Sequence, residues 1–244
     1  MNRRLDHLLV ERGLAASRTQ AQALILAGRV FSGQRRLDKA GQALAADVAL
    51  EVRGPSSPYV SRGGLKLAHG LDHFGIDPQG LVAADLGASS GGFSDVLLRR
   101  GAAKVYAVDV GHGQLDWRLR NDPKVVVLER TNARHLNRDL IPEALDLVVC
   151  DASFISLKLV LPAALQLTRP GACLLALIKP QFEVGKGRVG KGGVVRDPAL
   201  HAEVCAEIAR WLAEGQGWQV LGITESPVTG PKGNREFLIA ARRP

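Results

Sequence analysis

Two lysines and four acids stand where they could do chemistry: Lys66, Asp85, Asp109, Asp151, Lys179 and Glu236. Lys179 poses the sharpest question. The run ACLLALIKPQF is apolar for seven residues, as a buried strand is, and then ends on a lysine that a proline follows at once. Lysine is rarely buried without a partner. VVCDASF ends another apolar run on Asp151, so the two strand ends can pair and offset each other's burial. A plain buried ion pair is the minimal reading. The larger one is proton transfer. A lysine, with a reference pKa of about 10.4, is no base at neutral pH until desolvation and a second ammonium bring it into working range. Lys66, in SRGGLKLAHGL ahead of the first strand, and Glu236, in GNREFLIA at the start of the last, can reach the same crevice.

The first strand runs into a glycine-rich turn and then a helix, ADLGASSGGFSDVLL. Such a turn lets a ligand approach the backbone and offers it free N–H groups. A dinucleotide fingerprint would read G-x-G-x-x-G. Here the pattern is D-x-G-x-x-x-G-G, and Asp85 would sit badly beside a pyrophosphate. It suits a ligand with a free ammonium, as in S-adenosylmethionine. Asp109, closing KVYAVDV, lies where an acid captures ribose hydroxyls. The expected cofactor-binding set is Asp85, Gly87, Ser89, Gly91, Gly92, Phe93, Asp109 and Asp151.

The elements that must carry these residues follow from the pattern. LVAADLG, KVYAVDV, KVVVLE, ALDLVVCD and ACLLALIK are apolar runs, as parallel strands buried on both faces should be. Helical patterns such as SLKLVLPAALQLT separate most of them. The chain ends in a helix, ALHAEVCAEIARWLAEG, and two strands, WQVLGITESP and REFLIAARR, able to form an antiparallel hairpin. The expectation is an α/β, Rossmann-like doubly wound sheet of seven strands over residues 61–244. Residues 1–53 form a smaller α+β module. RLDHLLVERG reads as a helix ending on Gly13, and SRTQAQALILAGRV opens with Ser17 and Gln20 in capping-box spacing. A Pro/Gly/Ser-rich linker, 54–60, joins the two.

Across 244 residues, 46% are hydrophobic and the formal net charge is +8, a balance that favours a polyanionic partner. Cys150, Cys173 and Cys205 follow no metal-ligating spacing and read as packed thiols in a reducing compartment. No signal-peptide core or spanning segment is visible, so the chain reads as cytoplasmic, away from membranes.

The N-terminal stretch RLDHLLVERGLAASRTQAQALILAGRVFSGQ resembles the RNA-binding fold of ribosomal protein S4. The resemblance implies Arg4, Arg18 and Lys39 as RNA contacts, with FSG standing where that family usually has V-N-G. The order Lys66, Asp151, Lys179, Glu236 in its strand settings resembles the tetrad of the FtsJ-like RNA ribose 2′-O-methyltransferases. That likeness implies Lys179 as general base, Lys66 helping to tune it, and Asp151 and Glu236 orienting the ammonium groups and a ribose hydroxyl. The leaving group departs neutral, so no metal is expected. Amino-group methyltransferases would place [N/D]-P-P-[Y/F] where this chain has DASF, and cytosine-C5 enzymes need a cysteine usually placed after proline, whereas Cys150 follows valine.

Both parts together, with SRGGLKL, DLGASSGGF, DASFISL, KPQFE and KGGVVRD, resemble the TlyA/haemolysin A family. This implies an rRNA (cytidine-2′-O)-methyltransferase acting on ribosomal RNA or ribosomal subunits, large-subunit rRNA favoured because the chain opens directly at MNRRLD. It further implies Arg62, Arg130, Arg134, Phe154 and Lys186 as RNA or cofactor-side contacts, and by residue type Phe154 is as well suited to packing in the core as to stacking on a flipped base. The competing readings are a non-catalytic RNA-binding module and a membrane-active haemolysin. No obligate protein partner is evident, and oligomeric state is silent.

Overall fold

The computed structural model describes residues 2–53, 57–185, 187–190 and 192–244. Lys186, one of the expected RNA contacts, lies outside them. The chain divides into two compact units, Met1–Ser56 and Ser57–Pro244.

The smaller unit begins with strand β1 (Asn2–Arg4), helix α1 (Leu5–Glu11) and helix α2 (Arg18–Leu26). Ser17 caps α2 by accepting from the Gln20 backbone N–H, and the Gln20 side chain accepts from Ala16 N–H, one residue earlier than a strict capping box would place it. Leu5, Leu9, Ala21, Ile25, Val30 and Leu37 form its core. Short strands β2 (Val30–Ser32), β3 (Arg35–Arg36) and β5 (Glu51–Val52) make one sheet, and β4 (Ala43–Ala45) pairs antiparallel with β1.

The larger unit is built on β6 (Val82–Leu86), β7 (Lys104–Val108), β8 (Val125–Leu128), β9 (Leu145–Cys150), β10 (Thr168–Ile178), β11 (Gln219–Glu225) and β12 (Phe237–Arg242). Their order is β11-β12-β10-β9-β6-β7-β8, with β6 to β10 parallel and β12 antiparallel to both its neighbours. The expected terminal hairpin is present.

Alternation along these strands sends side chains to two cores. Ala84, Leu86, Val148, Cys150, Leu174, Ala176, Ile178 and Ile239 face one, lined by α6 (Leu157–Val160), α7 (Pro162–Gln166) and α9 (Pro198–Arg210). Ala83, Leu147, Val149, Leu175, Leu177, Leu238 and Ala240 face the other, under α3 (Gly63–Phe74) and α4 (Gly92–Arg99). Leu67 and Leu71 bury the inner side of α3, and each fully buried leucine contributes about 1.5–3 kcal/mol. Gly70 lets α3 lie close: a Cβ there would stand 2.9 Å from Leu175 Cδ2. Tyr59 packs on this core against Gly64, with the Arg99 guanidinium over its ring. Among the described residues no helix is long and apolar enough to cross a membrane.

Candidate active site

The same alternation decides which charged residues meet. Asp85 follows Ala83 by two, Asp151 follows Val149, Lys179 follows Leu177, and Glu236 precedes Leu238. All four therefore belong to the α3/α4 face, at the carboxyl edge of the parallel strands. Register brings them side by side. Leu86 pairs with Cys150, so Gly87 stands beside Asp151; Ile178 pairs with Phe237, so Lys179 stands opposite Glu236. Helix α3 lowers Lys66 onto the same edge, one turn beyond Gly63, whose missing side chain would lie 3.6 Å from Asp151 Oδ2.

Two buried ion pairs result. Lys66 Nζ donates to Glu236 Oε2 at 2.5 Å, and Lys179 Nζ lies 2.6 Å from Asp151 Oδ1. Lys179 also donates to the Asp151 carbonyl at 3.1 Å and to Ser153 Oγ at 2.9 Å. Both lysines are nearly sealed from solvent, at 8% and 6% exposed, and Glu236 is at 1%. The second oxygen of Glu236 has no hydrogen-bond partner. Carboxylates offset the burial of both amines. Lys66 is held by Glu236, whose position stands opposite Lys179 across the β10–β12 pairing.

The glycine turn lies against this group. Gly87, at φ +83, approaches Ala152 so closely that a Cβ would come within 2.9 Å of its Cα. Asp109 accepts Ser89 N–H at 2.8 Å and Gly111 N–H at 2.7 Å, which fixes its carboxylate at the rim of a pocket. Ala107, Leu115 and Val127 supply the apolar wall of that pocket, with Gln114 and Glu129 at its edge. Glu129 takes N–H groups from Gly113 and Arg120 and faces His112; the Gly113 bond and its neighbours hold its carboxyl down at about 2. Asp85 is fully buried. Its Oδ2 accepts Ser94 N–H and Oγ at 2.9 and 2.7 Å, while Oδ1 has no partner. Burial pushes Asp85 up to about 7 against the pull of Ser94, and the charges of Asp151 and Asp109 add to the rise.

These features fit S-adenosylmethionine: an unpartnered buried carboxylate oxygen for an ammonium, a fixed acid for ribose hydroxyls, an apolar wall for a purine and a bare backbone turn. Phe93, on the first turn of α4, is buried and packs with Val96 and Leu97. Gly91 and Gly92 begin α4 as expected.

The expected RNA contacts are dispersed over both units. In the smaller one, Arg4 forks onto the buried Asp6 carboxylate at 3.0 and 3.1 Å, and Arg18 reaches it at 3.1 Å, both guanidiniums remaining half exposed. Arg4 foremost, then Gln22 and Arg18, hold Asp6 far below the usual carboxylate range despite its burial. Lys39 is exposed. In the larger unit Arg62, Arg130 and Arg134 are exposed, Arg62 near the Thr229 carbonyl. Arg130 and Phe154 adopt the left-handed region, at φ 52 and 65, where bulky side chains are strained. Phe154 is 90% exposed, with its ring centroid 5.1 Å from that of Phe182. Sequence reasoning missed Ser94, Gln114, Glu129, Ser153, Phe182 and Gly230.

Residues 59–243 match the FtsJ-like methyltransferase family, and residues 3–47 match the S4 domain. The 16S/23S rRNA (cytidine-2′-O)-methyltransferase TlyA of Mycobacterium tuberculosis is 51% identical over 240 residues, covering 98% of this chain and 89% of its own. Hemolysin A of Brachyspira hyodysenteriae is 39% identical over 237 residues, covering 96% of this chain and 98% of its own. A solved structure from Streptococcus thermophilus, named for a hemolysin, has a TM-score of 0.77 at 39% identity, covering 99% of this chain and 88% of that one.

Proposed function

The chain belongs to the FtsJ-like methyltransferases and carries an S4 domain, and on that premise we propose that it methylates the ribose 2′-hydroxyl of a cytidine in ribosomal RNA, with Lys179 as the base. S-adenosylmethionine is the cofactor, and it supplies a methyl group already activated on a sulfonium. The observation that carries the reading is the meeting of two lysine–carboxylate pairs on one sheet edge beside the glycine turn.

A ribose hydroxyl is a weak nucleophile until its proton leaves. Lys179 takes that proton in a site from which water is nearly excluded. Ser153 Oγ and the Asp151 carbonyl accept from the amine and hold it in place, with the Asp151 carboxylate 2.6 Å away. Glu236, anchored by Lys66, keeps one oxygen free to receive the hydroxyl of the incoming nucleotide. Positioning of this kind supplies a large part of the rate. Asp85, with its unpartnered Oδ1, would hold the cofactor's ammonium, and Asp109 would hold its ribose. Phe154 offers its exposed ring to a base swung out of its helix, and the strain at its backbone supports a role outside packing. Arg4, Arg18, Lys39, Arg62, Arg130 and Arg134 contact phosphates, a task that fixes register without reading sequence. The reaction takes place in the cytoplasm.

The test is transfer of labelled methyl from the cofactor into purified rRNA and ribosomal subunits by the wild-type chain and by Lys179→Ala. The substitution abolishes transfer while cofactor affinity stays within about twofold, since Lys179 is not among the cofactor's ligands. Normal transfer by Lys179→Ala refutes the role of the base; absence of transfer by the wild type refutes the activity.

A further inference from the structure

The side chain of Asn234 ties the segment that follows the base lysine's strand to the run leading into Glu236. Asn234 is 3% exposed, and both ends of its amide are used: Oδ1 accepts Val195 N–H at 3.1 Å, and Nδ2 donates to the Gly193 carbonyl at 3.0 Å. Gly193 and Val195 close the glycine-rich stretch that begins just after α8 (Pro180–Glu183), where Gly190 and Val194 make an isolated antiparallel bridge. Val194 and Val195 are buried, and His201 on α9 shares the Val195 carbonyl. This end of the stretch is therefore anchored.

Asn234 lies two residues before Glu236 on one extended run, with Arg235 between them turned outward to Glu225. Its own carbonyl accepts Gly230 N–H at 2.8 Å, which curls the 228–234 loop back over Glu236. The curl is close: any side chain at Gly230 would overlap Glu236 Oε1, the oxygen left without a partner. Ser226 N–H then binds the Glu236 carbonyl at 2.9 Å and holds the strand from the other side. Asn234 thus joins three parts of the site: its side-chain amide holds the glycine-rich stretch, its backbone carbonyl holds the loop over Glu236, and its chain leads directly into the strand that presents Glu236 to Lys66.

We propose that Asn234 is a positioning residue that sets the glycine-rich segment and the Glu236–Lys66 pair in register, so that docking of the RNA backbone on the segment and alignment of the ribose hydroxyl occur together. The inference rests on the function proposed above. Asn234 touches neither the cofactor pocket nor the Lys179 amine, so its loss acts on RNA engagement and leaves cofactor binding alone.

The test compares full-length wild type, Asn234→Ala and Asn234→Asp; the aspartate keeps the acceptor for Val195 and loses the donor to Gly193. Three quantities are read: KM and kcat for rRNA, cofactor affinity, and the rate of tryptic cleavage after Arg188, an exposed residue of the segment. Asn234→Ala raises KM for rRNA about tenfold, because the buried hydrogen bonds of the amide are lost, and speeds cleavage at Arg188. Asn234→Asp falls between it and the wild type, and cofactor affinity is unchanged in both. Wild-type KM and cleavage rate in Asn234→Ala overturn the proposal. A parallel loss of cofactor affinity with faster cleavage throughout the chain also overturns it, because a loosened fold gives that pattern. Cleavage at Arg188 requires no methyl transfer, so a wild-type chain inactive on rRNA counts against the proposed activity and leaves the tryptic result to decide the positioning role.

Discussion

Asp85, proposed above to hold the cofactor's ammonium, is the buried carboxyl that would make cofactor binding sensitive to protons. Burial raises its carboxyl to about 7, above an ordinary aspartate at about 3.9. The native state then binds a proton more tightly than the unfolded chain, so the stability of the cofactor-free protein declines as pH rises between these two values. A cationic ligand has the opposite preference, because an ammonium on Oδ1 favours the carboxylate. Cofactor affinity accordingly rises from about pH 5.5 to about pH 7 in the wild type. Asp85→Asn binds weakly and shows no such rise; a wild-type affinity flat across this range contradicts the assignment. Asp85, Asp109, Asp151 and Lys179 were legible in the sequence because each ends an apolar run, and a strand end has only one direction in which to present a charge. Ser94, Ser153, Gly230 and Asn234 were not, because their partners are backbone groups, carboxylates or, for Ser153, the Lys179 amine, which only packing brings near.

Helix α3 decides whether Lys66 reaches Glu236, and its closeness to the sheet depends on Gly70. Alanine there gains about 1 kcal/mol in helix propensity but inserts a methyl 2.9 Å from a fully buried leucine. Overpacking costs about 1–3 kcal/mol, so the balance is against it. Gly70→Ala lowers thermal stability modestly and lowers kcat more, since α3 moves outward and carries Lys66 with it; calorimetry beside steady-state kinetics separates the two, and an unchanged kcat refutes the dependence. The parallel strands were legible from continuous apolar runs, and the last two from their changed rhythm. Other features were hidden. Strand β1 is three polar residues defined only by pairing with β4. The expected single helix after Asp151 divides at Pro162 into α6 and α7, since proline supplies no N–H to continue the ladder. Strand β10 begins at Thr168, before the apolar run, through a register shift between Thr168 and Cys173. The last helix ends in a π-helical turn, Trp211–Gly215, that no periodicity announced.

Two compact units with a shared charge of +8 make one RNA-directed enzyme. Arg4 and Arg18 are held by the buried Asp6 with their outer faces in solvent, as phosphate ligands must be. Each such contact releases counterions, so rRNA affinity falls with salt, and Arg4→Ala lowers the slope of log affinity against log salt by about 1. An unchanged slope removes Arg4 from the interface. The division of the chain showed in its composition, through the Pro/Gly/Ser stretch that separates a small basic module from an alternating β/α pattern. A ribose oxygen of rRNA receives the methyl group, and nucleoside-resolved mass mapping of 16S and 23S rRNA incubated with the wild-type chain and with Lys179→Ala reads this directly. A 2′-O-methylcytidine appears with the wild type and is missing with the variant; methylation on a base, on another nucleoside, or equally by both proteins refutes the assignment.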